Sequence, residues 1–220
     1  GCPQEWIPDA NTAGLWHFND GLDPTADSSA NGYSGDLVNG PAFVGGAFGS
    51  ALSFDGIDDY VTMGNQPSLN VGTGDFTIEA CIKTPAAPPP PAVRIVGKNT
   101  PDTGPGYNLD LSSGRPMCMA RDAGPLLEVV LTDTAAIDNT NWHHVRCERS
   151  GSTLKLYVDG SLVTQGSLAG AGTLNNSEEF RVGLRSIGNP PEQWYTGLID
   201  EVRLSTIARG VPPPPDTDGD

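Results

Sequence analysis

The chain has 220 residues, with 12 Lys and Arg against 27 Asp and Glu, for a formal net charge of −15. That sign excludes nucleic acid as an expected partner, because phosphates are met by Lys and Arg, and it disfavours anionic membrane surfaces. Glycine (28) and proline (20) are abundant and long runs of helix formers are missing, so one all-β domain of many short strands is expected.

In chain order, residues 1–13 read as an N-terminal extension and residues 14–210 as the domain. The opening GCPQEWIPDA lacks the form of a signal peptide, so any export signal is expected outside this chain. No apolar run reaches the ~20 residues needed to cross a bilayer. Residues 14–20, GLWHFND, read as the first strand, with Trp16 and Phe18 on one face. Turn formers fill 21–35: Gly21, Pro24, Asp27, Ser28, Asn31-Gly32 and Gly35. Short strands are expected at 36–38, 51–54 and 60–63, the last two around Asp55-Gly56. Residues 75–84, DFTIEACIKT, alternate most clearly: Phe76, Ile78, Ala80 and Ile82 against Thr77, Glu79, Cys81 and Lys83. Pro88 to Pro91 cannot enter a central strand and form an extended loop. Strands follow at 94–98, 107–111, 116–121 and 128–131.

Residues 141–160, NWHHVRCERSGSTLKLYVDG, read as a hairpin. Val145, Cys147 and Arg149 alternate with their neighbours, as do Leu154, Leu156 and Val158, on either side of Ser150-Gly151-Ser152. Asp159-Gly160 supplies residues that reach positive φ, giving a second tight turn into 161–165. Strands at 179–184 and 197–204 complete the set, and 205–209 reads as one helical turn. Residues 211–220, VPPPPDTDGD, are a proline-rich linker into an Asp-rich segment. That segment resembles the opening of a thrombospondin type 3 repeat, which implies one module of a longer protein.

The cysteines are Cys2, Cys81, Cys118 and Cys147. None forms a CxxC or Cys/His cluster, so zinc is not expected. An even number in a Gly/Pro-rich β protein points to disulfides with three possible pairings, and four buried free thiols are the alternative.

The segments GLWHFND, DSSANGYSGDLVNG, GGAFGSALSFDGIDDYV, DFTIEACIKT, NWHHVRCERSGSTLKLYVDG and GLIDEVRLST, in that order, resemble the laminin-G-like jelly roll of the concanavalin A-like lectin/glucanase superfamily. The resemblance implies two antiparallel sheets packed face to face, one of them concave. Pentraxins, distant relatives, carry a disulfide between similar strands, which implies Cys81–Cys147 and leaves Cys2 with Cys118. Related sandwiches bind a structural Ca²⁺ between first and last strands. Leu198, Asp200, Val202 and Leu204 share a strand face by alternation, and Asp20 is in phase with Trp16 and Phe18. Asp20 and Asp200 are therefore the expected calcium ligands, with Asn19 and Asp27 as additions. Capping of backbone amides by Asp200 is the alternative. The cluster of Asp55, Asp58 and Asp59 reads as turn chemistry at Asp55-Gly56 with the other carboxylates solvated, and an ion site is the alternative.

Glycan-cleaving members of the superfamily carry paired acidic residues alternating on one strand. Here Asp200 and Glu201 are adjacent, and no second carboxylate joins Glu79 on its face, so no catalytic residue is expected. His144 reads as a structural sheet residue. Sugars need flat aromatics and planar polar groups. Trp194, Tyr195, Tyr107, Arg185 and Asn189 are the candidates, with Tyr33 beside them, although Trp194 and Tyr195 serve equally as core plugs. The expected function is a non-catalytic, secreted or cell-surface module of a bacterial protein. It would bind a glycan or a matrix ligand, contain calcium and sit beside neighbouring domains. A structural or adhesive protein-binding spacer, and more weakly a glycoside hydrolase relative, are the alternatives.

Overall fold

The computed structural model describes residues 1–85, 92–99, 104–124, 127–185 and 193–210. The expected proline loop at 88–91, the linker at 211–220 and Asn189 lie outside them. The first strands are β1 (Thr12–Trp16), β2 (Asp36–Val38), β3 (Ala42–Gly45), β4 (Ser50–Asp55) and β5 (Tyr60–Thr62). Five longer ones follow: β6 (Phe76–Lys83), β7 (Val93–Asn99), β8 (Gly106–Ser112), β9 (Arg115–Arg121) and β10 (Glu128–Thr132). The last are β11 (Trp142–Ser150), β12 (Thr153–Val158), β13 (Ser161–Ser167), β14 (Arg181–Val182) and β15 (Thr196–Ser205). The first sheet has the order β13-β12-β11-β6-β15-β4-β3, with β1 also paired to β15; the second runs β10-β9-β8-β7-β14-β5-β2. Every described pairing is antiparallel. The architecture is the expected jelly-roll sandwich.

The core lies between the sheets. Alternation places Ile78, Ala80 and Ile82 of β6 and Val145 of β11 against Leu109, Leu111 and Ala120 of the second sheet. The β11–β12 hairpin forms as its sequence dictates, with Ser150 opposite Thr153, and the second turn leads from β12 into β13. Asp159 has φ 50° and Gly160 φ 79°, the pair of positive values that a two-residue turn matching strand twist requires.

Four expectations are corrected. The first strand ends at Trp16, because Phe18 takes φ 60°, and this breaks the phase that was to carry Asp20 with Trp16. Strand β14 is two residues long instead of spanning 179–184. Residues 205–209 hold no helical turn, β15 running on through Ser205. The disulfides are Cys2–Cys81 and Cys118–Cys147, not Cys81–Cys147 and Cys2–Cys118. Cys147 lies directly opposite Ile78 and Cys81 opposite His144. Residues opposite one another share a sheet face, so Cys147 points into the core and Cys81 away from it. Cys147 therefore bridges the two sheets through Cys118, while Cys81 holds the N-terminal segment against the outer face of the first sheet.

Candidate functional site

The outer face of the second sheet carries a groove of about 290 Å³. Strand β8 builds its floor by alternation: Tyr107, Leu109 and Leu111 enter the core, which turns Asn108 and Asp110 outward. The neighbouring strands set Met119 opposite Asn108 and Met117 opposite Asp110, and then Val130 beside Met119. On the other side Gly97 lies opposite Asn108. A Cβ on Gly97 would stand 2.4 Å from Asn108 Cβ, so only glycine leaves room for the Asn108 side chain there.

Arg94 Nε donates to Asp110 Oδ1 at 2.8 Å, and its Nη1 donates to Asn99 Oδ1. Both members of this ion pair are buried. Asn108 differs: its Oδ1 and Nδ2 are shielded from solvent, and neither has a hydrogen-bond partner. An unpaired buried amide costs about 1–3 kcal/mol, a cost relieved by any group that supplies both a donor and an acceptor. Arginine holds each of the two carboxylates that line the groove. Arg94 holds Asp110, and Arg121 lies 2.7 Å from Glu128.

Of the described residues expected to meet a ligand, only Arg185 lines this groove. Its Nη1 donates to Gln193 Oε1 at 2.6 Å. Trp194 stands nearby, half-buried, opposite Leu184 and with its ring 6.1 Å from that of Tyr60. Tyr107 and Tyr195 are core residues, a correction to the expected site: each is fully buried, and their hydroxyls donate to the carbonyls of Leu69 and Leu198. Tyr33 donates its hydroxyl to Ser68 Oγ beside the core. Asn108, Asp110 and Arg94 are not among the residues expected from the sequence. For Asn108 and Asp110 the signal is the alternation Tyr-Asn-Leu-Asp-Leu at 107–111.

The outer face of the first sheet is different, because residues 1–9 lie across it. Trp6 packs with its ring 4.5 Å from the Arg203 guanidinium and 5.5 Å from the His144 ring, and its backbone N–H donates to Glu201. Under it Glu79 Oε1 accepts from Nε and Nη2 of Arg203, and Glu79 Oε2 lies 2.8 Å from His144 Nε2. Burial pushes the Glu79 carboxyl up, but the hydrogen bond and charge of His144 and the charge of Arg203 outweigh it and hold the pKa down to about 2. His17 is 2.5 Å from Glu201, whose hydrogen bond raises the imidazole pKa.

The calcium set does not assemble as expected. A bulge between Asp200 and Arg203, with Glu201 at φ 50°, reverses the phase of β15. Ile199, not Asp200, is in the core, and Asp200 lies opposite Cys81 on the outer face. Asp20 accepts from the amides of Leu22 and Ala26 and the hydroxyl of Thr25. Asp27 accepts from the amides of Leu15, Ser29 and Tyr33. Both therefore serve their own turns. Asp200 accepts from the amides of Ala47, Phe48 and Glu201, and Asn19 Oδ1 accepts from that of Ser50, so these two border one loop, residues 46–50. Burial raises the Asp200 pKa to about 7.

A family model described as the concanavalin A-like lectin/glucanases superfamily matches residues 54–211. Comparison with curated proteins yields no match. Among solved structures, the chain is similar to the binding domain of Paraclostridial Mosquitocidal Protein 1 at 17% identity and TM-score 0.72, covering 90% of this chain and 49% of that one. It is similar to the botulinum neurotoxin serotype G binding domain at 12% identity and TM-score 0.70, covering 91% and 49%. It is also similar to the botulinum neurotoxin serotype D ligand binding domain solved with N-acetylneuraminic acid, at 10% identity and TM-score 0.64, covering 90% and 48%. The chain spans about half the length of these structures, and at such identities the likeness is one of fold.

Proposed function

Because the chain belongs to the concanavalin A-like lectin/glucanase superfamily, we propose that it is a non-catalytic carbohydrate-binding module that takes its ligand in the groove over β7 to β10. One observation carries the reading: the unpartnered Asn108 amide, set between the Arg94–Asp110 pair and the apolar side chains of Met117 and Met119. A sugar ring offers hydroxyls that both donate and accept, and a C–H face that packs on apolar atoms; the groove has the counterpart of each. The bound acid in a fold of the same kind supports a glycan as ligand. The arginine partners of Asp110 and Glu128 favour binding over hydrolysis, since a general acid must be free to hold and release a proton. Two disulfides fit a secreted or cell-surface setting. Among the described residues no helix is long and apolar enough to cross a membrane.

A glycan array followed by calorimetry on the best hit tests this. Asn108→Ala should weaken binding by tenfold or more, about 1.4 kcal/mol, with no fall in melting temperature, since the unpaired amide stabilises nothing in the free protein. An array without hits, or a hit indifferent to Asn108→Ala, sinks the reading.

A structural calcium ion belongs to the same proposal in reduced form, on Asp200 with Asn19 across the 46–50 loop. Its support is a fully buried carboxylate beside a second one, Glu201, where a cation would offset the repulsion. Excess Ca²⁺ should stabilise by ~2.7 kcal/mol at a hundredfold over its dissociation constant, EDTA should reverse the gain, and Asp200→Asn should abolish it. A melting temperature indifferent to both Ca²⁺ and EDTA rejects the ion.

A further inference from the structure

Strands β12, β11, β6 and β15 set one lateral row across the outer face of the first sheet: Tyr157 opposite Arg146, Arg146 opposite Glu79, and Glu79 opposite Arg203. Glu79 thus stands between two arginines in register, yet only one of them holds it. Its Oε1 is taken by the Nε and Nη2 edge of Arg203 and its Oε2 by His144. The same edge of Arg146 has no acceptor. Arg146 Nη1 donates to the Gly210 carbonyl, whereas its Nε and Nη2 are buried without a hydrogen-bond partner. The Tyr157 ring lies 3.9 Å beneath the guanidinium and fixes its plane. Glu148 comes only to 3.9 Å of Nη2, and its Oε2 accepts instead from the Gly210 amide.

Arg146 lines a cavity of about 360 Å³, walled by Pro3, Trp6 and Ile7 of the N-terminal strap and by His144 and Arg203 of the sheet. A smaller cavity, of about 80 Å³, adjoins Arg146, His144 and Pro3. Ile7 is 81% exposed at the lip, so this wall is the part able to yield. A guanidinium edge formed by Nε and one Nη presents two parallel N–H groups at the spacing of the two oxygens of a carboxylate or sulfate. A buried charge lacking such partners is costly, and an oxyanion carried in beside Trp6 and Ile7 removes that cost. We propose that the cavity beneath the strap is a second binding site, for a carboxylate or sulfate group held bidentately on the Nε and Nη2 edge of Arg146. It lies on the opposite sheet from the proposed carbohydrate groove and does not depend on it.

Arginine Nε–H resonances of the full chain, followed by ¹⁵N–¹H NMR, test this directly. Sodium sulfate and sodium acetate are titrated against sodium chloride at matched ionic strength. The Arg146 resonance should shift saturably with the first two and not with chloride, and that of Arg203, already engaged, should stay in place. Glucuronate against glucose then separates an acidic sugar from a free ion. A shift with glucuronate assigns the group to a sugar, and a shift with sulfate and acetate alone assigns it to the free anion; either sustains the site. Glu148→Gln should tighten binding at least threefold by removing the competing charge, while Asn108→Ala should leave the Arg146 response intact. An Arg146 resonance unmoved by every anion, or moved equally by chloride, overturns the proposal.

Discussion

Glu79→Ala should destabilise the fold by about 3–5 kcal/mol, as expected when one partner of a buried ionic network is removed. The carboxylate is 1% exposed and faces Arg203 and His144 beneath Trp6. Its loss leaves the Arg203 guanidinium buried against an indole with no anion. Glu79→Gln retains the shape and one acceptor and should cost less, about 1.5–3 kcal/mol. Glu128→Ala, which breaks a pair on the exposed side of the second sheet, should change stability by no more than about 1 kcal/mol. Urea unfolding of the three variants gives the comparison, and a Glu79→Ala loss no larger than that of Glu128→Ala contradicts the assignment. The pH dependence has a definite sign. The Glu79 pKa falls from 4.5 to about 2 on folding, so the folded state binds fewer protons than the unfolded one across that interval. The contribution of Glu79 is complete above 4.5 and is lost as pH falls through about 2. Wild-type stability should therefore drop between these values, and Glu79→Gln should flatten that part of the curve.

The sequence exposes the parts of this fold that local alternation controls. In 141–160 each apolar residue of one face is two positions from the next, and Asp159-Gly160 admits only a tight turn, so strands and turns could be placed together. The same alternation already separated the cysteine faces. Cys81 alternates with Ile78, Ala80 and Ile82 on β6, while Cys147 keeps step with Val145 on β11. That parity is incompatible with the direct Cys81–Cys147 bridge that the pentraxin likeness implies. Tyr107 was legible too, since its parity with Leu109 and Leu111 commits it to the core and turns Asn108 outward. Asp200 was not. A bulge inserts a residue between Asp200 and Arg203, and one residue of slip exchanges every face beyond it. Nor could the strap be read. Trp6 meets His144, Glu201 and Arg203 far away in sequence, and residues 1–11 carry no period that announces such contacts. Arg146 is in sequence one more polar residue of a hairpin strand, and only the register sets it opposite Glu79, whose oxygens Arg203 and His144 occupy.

The two disulfides should differ in what they hold, and this predicts an asymmetry between their removals. Cys118–Cys147 joins β9 to β11 through the core and closes a separation of 29 residues. In the chain-entropy model its loss costs about 3–4 kcal/mol, and two alanines in its place add the loss of buried sulfur contacts. Both ends of that link are in the shared core of the two sheets, so Cys118→Ala/Cys147→Ala should shift the global unfolding transition. Cys2–Cys81 closes a longer separation, 79 residues, which in the same model is worth about 4–5 kcal/mol. Yet one end of it is only the strap. If the strap detaches while the sandwich stays folded, the global loss is capped at the free energy that seats Trp6 and its neighbours, and local opening replaces cooperative unfolding. Cys2→Ala/Cys81→Ala should therefore melt closer to wild type than the other double variant, despite the longer loop. It should also raise the hydrogen-exchange rate of the Trp6 amide and shift indole fluorescence to the red as Trp6 leaves Arg203 and His144. Peptide mapping of the unreduced protein should first recover the Cys2–Cys81 and Cys118–Cys147 pairs. A Cys81–Cys147 peptide, or a Cys2→Ala/Cys81→Ala variant that loses more global stability than Cys118→Ala/Cys147→Ala while Trp6 stays protected, would mean that the strap is an integral part of the sandwich and not a cover held to it by one covalent tie.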